Sequence, residues 1–255
     1  MTAGVPPPVN LVWFDEVDST VALSERTMNA WPAADSAPLP ETLLVAGAQT
    51  RGRGRGAHAW SSPPGGLYAN WLVWLPAAQV GQVPLAVGAT LAVAAESVLP
   101  GLAIGLKWPN DLQVGGRKLG GVLCHSRGGG DRAWASVGFG INVAVAPPVE
   151  DGDARPVSLR ELGLSSPPGQ AIDAIVAAFL ARIHAALADP IGTRERWLAR
   201  SVHRPGDAMR LRLDREVVDG RFVGFDADGR VELEVGGELM RYSVGEVVAG
   251  TGAGG

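Results

Sequence analysis

Apolar residues fall into short blocks separated by turn-forming residues, and the period within the blocks changes along the chain. Residues 11–14 are a short apolar run. Asp18 and Ser19 then offer an N-cap to a helix carrying Val21, Leu23, Met28 and Trp31 on an irregular apolar face, stopped by Pro32. A Pro/Ala/Asp loop at 33–40 precedes a buried strand at 42–48. A second strand-like run, 67–75, holds two tryptophans and a tyrosine. The Ala/Val-rich stretch 84–99 predicts a helix buried on most of its surface, and 104–108 a short strand ended by Pro109. Residues 117–125 and 133–140 read as a hairpin about a turn at 128–131. Ser158 and Glu161 have capping-box spacing. Ile172, Ile175, Val176, Phe179, Leu180, Ile183 and Leu187 share one face of the clearest amphipathic helix, 170–187, and another helix is expected at 193–201.

From 203–207 onward the pattern becomes one of short strands, at 209–213, 222–225, 231–235 and 239–243. Turns at Asp219-Gly220, Asp228-Gly229 and Gly236-Gly237 punctuate them. The chain thus divides into a flexible start (1–10), a larger unit with strands and helices (11–202), a small barrel-like unit of about 45 residues (203–248) and a disordered tail (249–255).

One stretch breaks every hydrophobic period. Residues 49–60 read Gln-Thr-Arg-Gly-Arg-Gly-Arg-Gly-Ala-His-Ala-Trp, three arginines alternating with three glycines. Such a segment is neither helix nor core strand, so a loop is predicted that stays mobile until an anion arrives. Glycines let backbone N–H groups approach oxygens, and guanidinium forks match carboxylate or phosphate. The surroundings make this a local feature: the 255 residues are 46% hydrophobic and 19% charged, with formal net charge −4. An acidic chain lacks the broad positive field of a general nucleic-acid or membrane binder. The single cysteine, Cys124, reads as a small core residue in a reducing cytoplasm, and neither a signal peptide nor a membrane span is expected. His58, His125, His184 and His203 lack metal-ligand spacing or a triad partner.

Four stretches stand in order: Asp18-Ser19-Thr20; 49–60; Lys107-Trp108-Pro109-Asn110-Asp111-Leu112 with Arg117-Lys118-Leu119-Gly120-Gly121; and Gly138-Phe139-Gly140-Ile141-Asn142. Together they resemble the biotin protein ligases, over roughly residues 11–248. The resemblance implies an α/β (α+β) fold: a mixed sheet backed by helices, of the class II synthetase-like biotin/lipoate ligase type, with a small C-terminal SH3-like domain. It implies ATP-dependent formation of biotinyl-5′-AMP and transfer of biotin to a lysine of a biotin carboxyl carrier protein, in the cytoplasm, with a homodimer allowed. Carried over by position, Ser19, Thr20 and Gln49 would face biotin. Gly52, Arg53, Gly54 and Arg55 would wrap its carboxyl group and the α-phosphate, and Trp60 would pack over the intermediate. Lys118 would contact both carboxylate and phosphoryl oxygens, and Asn110 and Asn142 would sit by the nucleotide. Gly121, Gly138 and Gly140 would let backbone approach the ligand. Asp111 is the candidate for Mg²⁺ on the departing pyrophosphate and for positioning the acceptor amine, or else simply an Asx turn.

Three departures from the family pattern are Val21 after Ser-Thr, Arg51 before the Gly-Arg repeat, and the weakly charged Gly56-Ala57-His58-Ala59. Some relatives carry an N-terminal DNA-binding domain of about 60 residues. With the first motif at Asp18, a ligase without DNA partner or repressor function is expected. The alternatives are a lipoate protein ligase, which shares the acyl-adenylate chemistry, and an RNA-binding module using the Arg/Gly loop.

Overall fold

The structure is a computed structural model, and it describes residues 9–31, 39–56, 58–128, 130–148 and 155–248. The predicted flexible start before residue 9, most of the 33–40 loop and the 249–255 tail lie outside the described residues.

Seven strands make the first sheet: β1 (Asn10–Val17), β2 (Thr42–Gln49), β3 (Leu67–Pro76), β4 (Gly105–Lys107), β5 (Asp111–Val114), β6 (Arg117–Gly128) and β7 (Arg132–Ile141). Their spatial order is β1-β2-β3-β7-β6-β5-β4. Only β1 and β2 run parallel, linked through helix α1 (Thr20–Ala30); the other neighbours are antiparallel. The mixed sheet expected from the sequence is therefore present. Strand β5 was not foreseen: its four residues follow the Trp108-Pro109 turn, where the peptide bond is cis.

Period-2 alternation sends successive side chains of each strand to opposite layers. Trp71 of β3 and Phe139 of β7 point to one side, where each meets Phe179 of α3 (Pro168–Ala188) with ring centroids 6.0 and 5.0 Å apart. Helix α2 (Val83–Glu96) is buried around nearly its whole circumference, against the sheet, α3 and α4 (Pro190–Arg200). That explains its uniform Ala/Val/Leu composition. By length and apolarity alone Ala77–Glu96 and Pro168–Ala188 could cross a membrane, which the expectation of no candidate span overlooked. The apolar surface of α2 is covered by protein instead.

Helix α1 takes the opposite side, over Asn70, Ser136 and Gly138. Ser19 caps it as predicted, accepting from Ala22 N at 3.4 Å. The capping-box residues Ser158 and Glu161 do bond to one another, but they close a single turn at 159–163 and no helix follows there.

A second sheet of β8 (Ala208–Arg212), β9 (Val217–Phe225), β10 (Val231–Val235), β11 (Glu238–Tyr242) and β12 (Glu246–Val248) has the order β11-β10-β9-β8-β12. It packs on the first unit through Phe225 on Trp197, centroids 4.7 Å apart. The predicted turn at Asp219-Gly220 is wrong. Both residues lie inside β9, where Asp219 pairs with Arg210 at 2.6 Å and a Cβ on Gly220 would sit 2.8 Å from the Glu234 carbonyl oxygen. The reversal falls earlier, where Leu213 N donates to Glu216 O. Gly236 and Gly237 turn as expected, with φ of 60° and 87°.

Candidate active site

The α1 side of the sheet has a floor of glycines. In register, Gly121 of β6 faces Gly140 of β7, which faces Tyr68 of β3; two residues along, Leu123 faces Gly138, which faces Asn70. These glycines differ in what they accommodate. A Cβ on Gly138 would lie 2.6 Å from Val21 Cγ2, and one on Gly140 2.7 Å from Trp60 Nε1. Each makes room for a neighbouring side chain, where the sequence suggested room for ligand alone. At Gly121 the nearest atoms would be 3.5 Å away or more, among them Asp111 Oδ1 and Lys118 Cε.

Lys118 reaches this floor because of a bulge. Across β5 and β6, Asp111 pairs with Gly121 and Leu112 with Gly120, but Gln113 pairs with Lys118. The skipped residue, Leu119, is fully buried. An unbroken ladder would put Leu119 opposite Gln113 and turn Lys118 to the other side; the extra residue puts Lys118 on the same side as Asp111. Lys118 Nζ then lies 2.7 Å from Asp111 Oδ1, both side chains largely buried, and 5.5 Å from the centroid of the Trp60 ring. Backbone contacts fix the base of Lys118: its N donates to Arg155 O at 2.8 Å and its carbonyl accepts from Val157 N at 2.9 Å. Asn142 Nδ2 donates to the Val157 and Lys118 carbonyls, and Asn110 Nδ2 to the Val122 carbonyl. Both asparagine amides thus hold the backbone on either side of Lys118.

The Arg/Gly stretch is hydrogen-bonded across itself. Gln49 bridges Ser62, Trp60 N donates to Gly52 O at 3.0 Å, Arg53 bridges Ala59, and Gly54 N donates to His58 O at 2.8 Å, giving a narrow hairpin. Gly52 is dictated by this fold, since a Cβ there would collide with the Trp60 carbonyl and Ser62 Oγ. The hairpin base is tied to the start of α1: Arg51 N donates to Asp18 O at 2.7 Å. Gln49 Oε1 accepts from Thr20 N and Oγ1 at 2.8 and 3.1 Å, and its Nε2 donates to Ser62 Oγ. Asp18 binds Arg26 through both carboxylate oxygens, with Arg51 at 3.6 Å. The Arg26 hydrogen bonds, then the Ser19 N–H, hold the Asp18 carboxyl well below the usual range.

The two loop arginines diverge. Arg53 Nη1 bonds Glu25 Oε2 of α1 at 2.9 Å, while the half-buried Arg55 donates to the carbonyl of Gly245, in the second sheet's last turn, at 2.8 Å. Burial lowers the Arg55 pKa, opposed by the nearby Glu246 and Asp111 carboxylates. The structure therefore brings Trp60, Asp111 and Lys118 together, and holds Arg53 on α1 and Arg55 on the last turn of the second sheet. The Trp60 Nε1–H is buried without an acceptor.

A buried network beneath α1 has no counterpart in the motifs. Ser24 Oγ lies 2.6 Å from Ser136 Oγ and donates to the Val21 carbonyl, and Asn70 Nδ2 donates to Ser136. All three residues are buried. Among the described residues no three His, Cys, Asp or Glu side chains cluster as a metal site. Burial pushes the Cys124 thiol up to about 12, so it is no nucleophile. His184 stands 3.0 Å from Glu41 in the helical layer, and His203 packs against Phe222, away from the floor.

The biotin/lipoate A/B protein ligase family matches residues 21–142. A biotin–[acetyl-CoA-carboxylase] ligase of Paracoccus denitrificans is 36% identical over 204 residues, covering 74% of this chain and 82% of that protein. The Mycobacterium tuberculosis protein of the same name is 30% identical over 240 residues, covering 85% and 82%. Among solved structures, the biotin protein ligase of Aquifex aeolicus in complex with biotin and ATP is similar with a TM-score of 0.69 and 28% identity, over 94% of this chain and 97% of that one. The chain belongs to the biotin protein ligase family.

Proposed function

We propose that this protein couples ATP to the biotinylation of a carrier lysine, through biotinyl-5′-AMP. The observation that carries the reading is the bulge-directed Lys118, paired with Asp111 beside Trp60 on a floor of glycines. Attack of the biotin carboxylate on the α-phosphorus brings two anions together, and cations in a water-poor cleft offset that repulsion. Lys118 is the central cation, with Arg55 at the hairpin tip and Arg53 at its side. Breaking the α–β phosphoanhydride releases pyrophosphate; the lysine amine then attacks the acyl carbon and AMP departs.

In this reading Ser19, Thr20 and Gln49, the last two hydrogen-bonded to each other, supply paired polar groups that suit the ureido ring of biotin. Gly52 and Gly54 shape the hairpin beside them, and Gly121 and Gly138 lie on the floor. Asn110 and Asn142 act here by holding the backbone around Lys118. With Asp111 engaged by Lys118 and no acidic cluster among the described residues, these side chains do not fit a resident metal. Mg²⁺ enters with ATP, on its phosphates. Asp111 instead holds the Lys118 ammonium in place.

The macromolecular substrate in this reading is a biotin carboxyl carrier protein, and the setting cytoplasmic. Arg53 and Arg55 already engage protein acceptors, which speaks against an RNA-binding loop. Incubation with ATP, Mg²⁺, carrier protein and either biotin or lipoate tests the proposal: biotin should appear on the carrier and lipoate should not. Lipoylation without biotinylation would replace this reading with that of a lipoate ligase.

A further inference from the structure

The buried residues of helix α1 are Thr20, Val21, Ala22 and Ser24. Val21, against Gly138, is the one sizeable apolar side chain among them. Apolar burial is non-directional, and so little of it leaves a helix free to slide or turn on its sheet. The setting of α1 therefore depends on hydrogen bonds. Ser24, Ser136 and Asn70, each at most 1% exposed, supply a chain of them. Ser24 Oγ donates its one proton to the Val21 carbonyl at 2.8 Å, so in the 2.6 Å contact between the two hydroxyls Ser136 is the donor. Ser136 Oγ in turn accepts from Asn70 Nδ2 at 3.0 Å. The chain thus runs one way, from Asn70 on β3 through Ser136 on β7 to Ser24 and the first turn of α1. Alanine would fill either serine position, and at 24 it would favour the helix; the hydroxyls serve the link. Thr20 lies four residues before Ser24, one turn away on the same face. Pinning Ser24 to the central strands therefore sets the rotation of Thr20, whose N and Oγ1 are held from the hairpin side by Gln49 at 2.8 and 3.1 Å.

We propose that Ser24, Ser136 and Asn70 are positioning residues for biotin recognition: the buried chain fixes the height and rotation of α1, so that Ser19 and Thr20 present their polar groups to the biotin ring system. The three act through the first turn of α1. This deepens the ligase reading above and rests on it.

The test is biotin calorimetry on the whole protein, with KM for biotin and for ATP measured separately during biotinyl-5′-AMP formation. Ser24→Ala and Ser136→Ala should each weaken biotin binding by roughly 3- to 10-fold, the scale of one hydrogen bond. The ATP KM, and kcat at saturating biotin, should stay within about twofold of wild type. Because the two hydroxyls belong to one chain, the double variant should lose about as much as either single variant. If Ser136→Ala does not fold, as judged by thermal melting, Ser24→Ala decides the case alone, since it places a stronger helix former in α1. A lowered melting temperature with unchanged biotin affinity would make the chain a fold element only and overturn the proposal. So would losses that multiply in the double variant or fall equally on biotin and ATP. Wild-type protein that binds no biotin would sink the ligase reading as well, whereas wild-type binding matched by the variants overturns the positioning role alone.

Discussion

Lys118 and Asp111 meet at 2.7 Å because one extra residue, Leu119, interrupts the β5–β6 ladder between them. The ion pair is thus a product of strand register, and the carboxylate fixes where the partly buried ammonium sits. Asp111→Asn keeps the shape and removes the charge. About tenfold lower kcat/KM for adenylation is expected, with a melting temperature within a few degrees of wild type. An unchanged rate would show that Lys118 is positioned without Asp111.

Gly121 and Gly140 should answer differently to alanine. At Gly121 the added methyl has ordinary van der Waals room, and its φ is not in the left-handed region. Gly121→Ala is therefore expected to leave stability unchanged or up to about 1 kcal/mol higher, yet to weaken biotin binding by projecting into the floor. At Gly140 the methyl would stand 2.7–3.0 Å from three atoms of the Trp60 ring, and Gly140→Ala should cost about 1–3 kcal/mol. Urea denaturation with biotin calorimetry separates the two. The reverse order of stabilities would refute the floor as described.

Gln49 joins α1 to the hairpin, accepting from Thr20 and donating to Ser62. Gln49→Ala leaves the Thr20 N–H without this acceptor, for an expected loss of about 1–3 kcal/mol together with weaker biotin binding. A variant as stable as wild type would mean that Gln49 only lines the cleft.

How much of this could be read from the chain depends on the range of each interaction. The Ser19 cap is local, and the pattern conveyed it. So were the motif positions, because backbone spacing alone places Lys118 seven residues after Asp111. The β5 strand was hidden by its length. The bulge at Leu119 leaves no local mark, since Leu is as suited to a regular strand. Ser24 in mid-helix reads as a weak helix former, and its partner Ser136 lies 112 residues away. Asp219-Gly220 carries turn chemistry, but tertiary pairing with Arg210 draws it into β9. The bridges Gln49–Ser62 and Arg53–Ala59 escaped notice because glycines and arginines carry no strand signal.

A pH dependence follows from the helical layer. Glu41 Oε1 accepts from Trp71 Nε1 and lies beside His184, and the Glu41 carboxylate raises the His184 pKa against the effect of burial. A raised folded-state value gives a contribution complete below the ordinary histidine pKa of about 6.5 and lost as pH rises through the folded-state value. Glu41→Gln keeps an acceptor for Trp71 and removes the charge. Its destabilisation should be larger at about pH 5.5 than at about pH 8.5, by up to about 1 kcal/mol. Equal losses at both pH values would leave His184 out of the account.

In this mechanism the Lys118 ammonium lets the two anions meet. Single-turnover formation of biotinyl-5′-AMP from biotin and ATP with Mg²⁺, followed by mass spectrometry in wild type and Lys118→Ala, tests it most directly. The rate should be about 10²- to 10³-fold lower in the variant. Formation of the adenylate at the wild-type rate without Lys118 would contradict it.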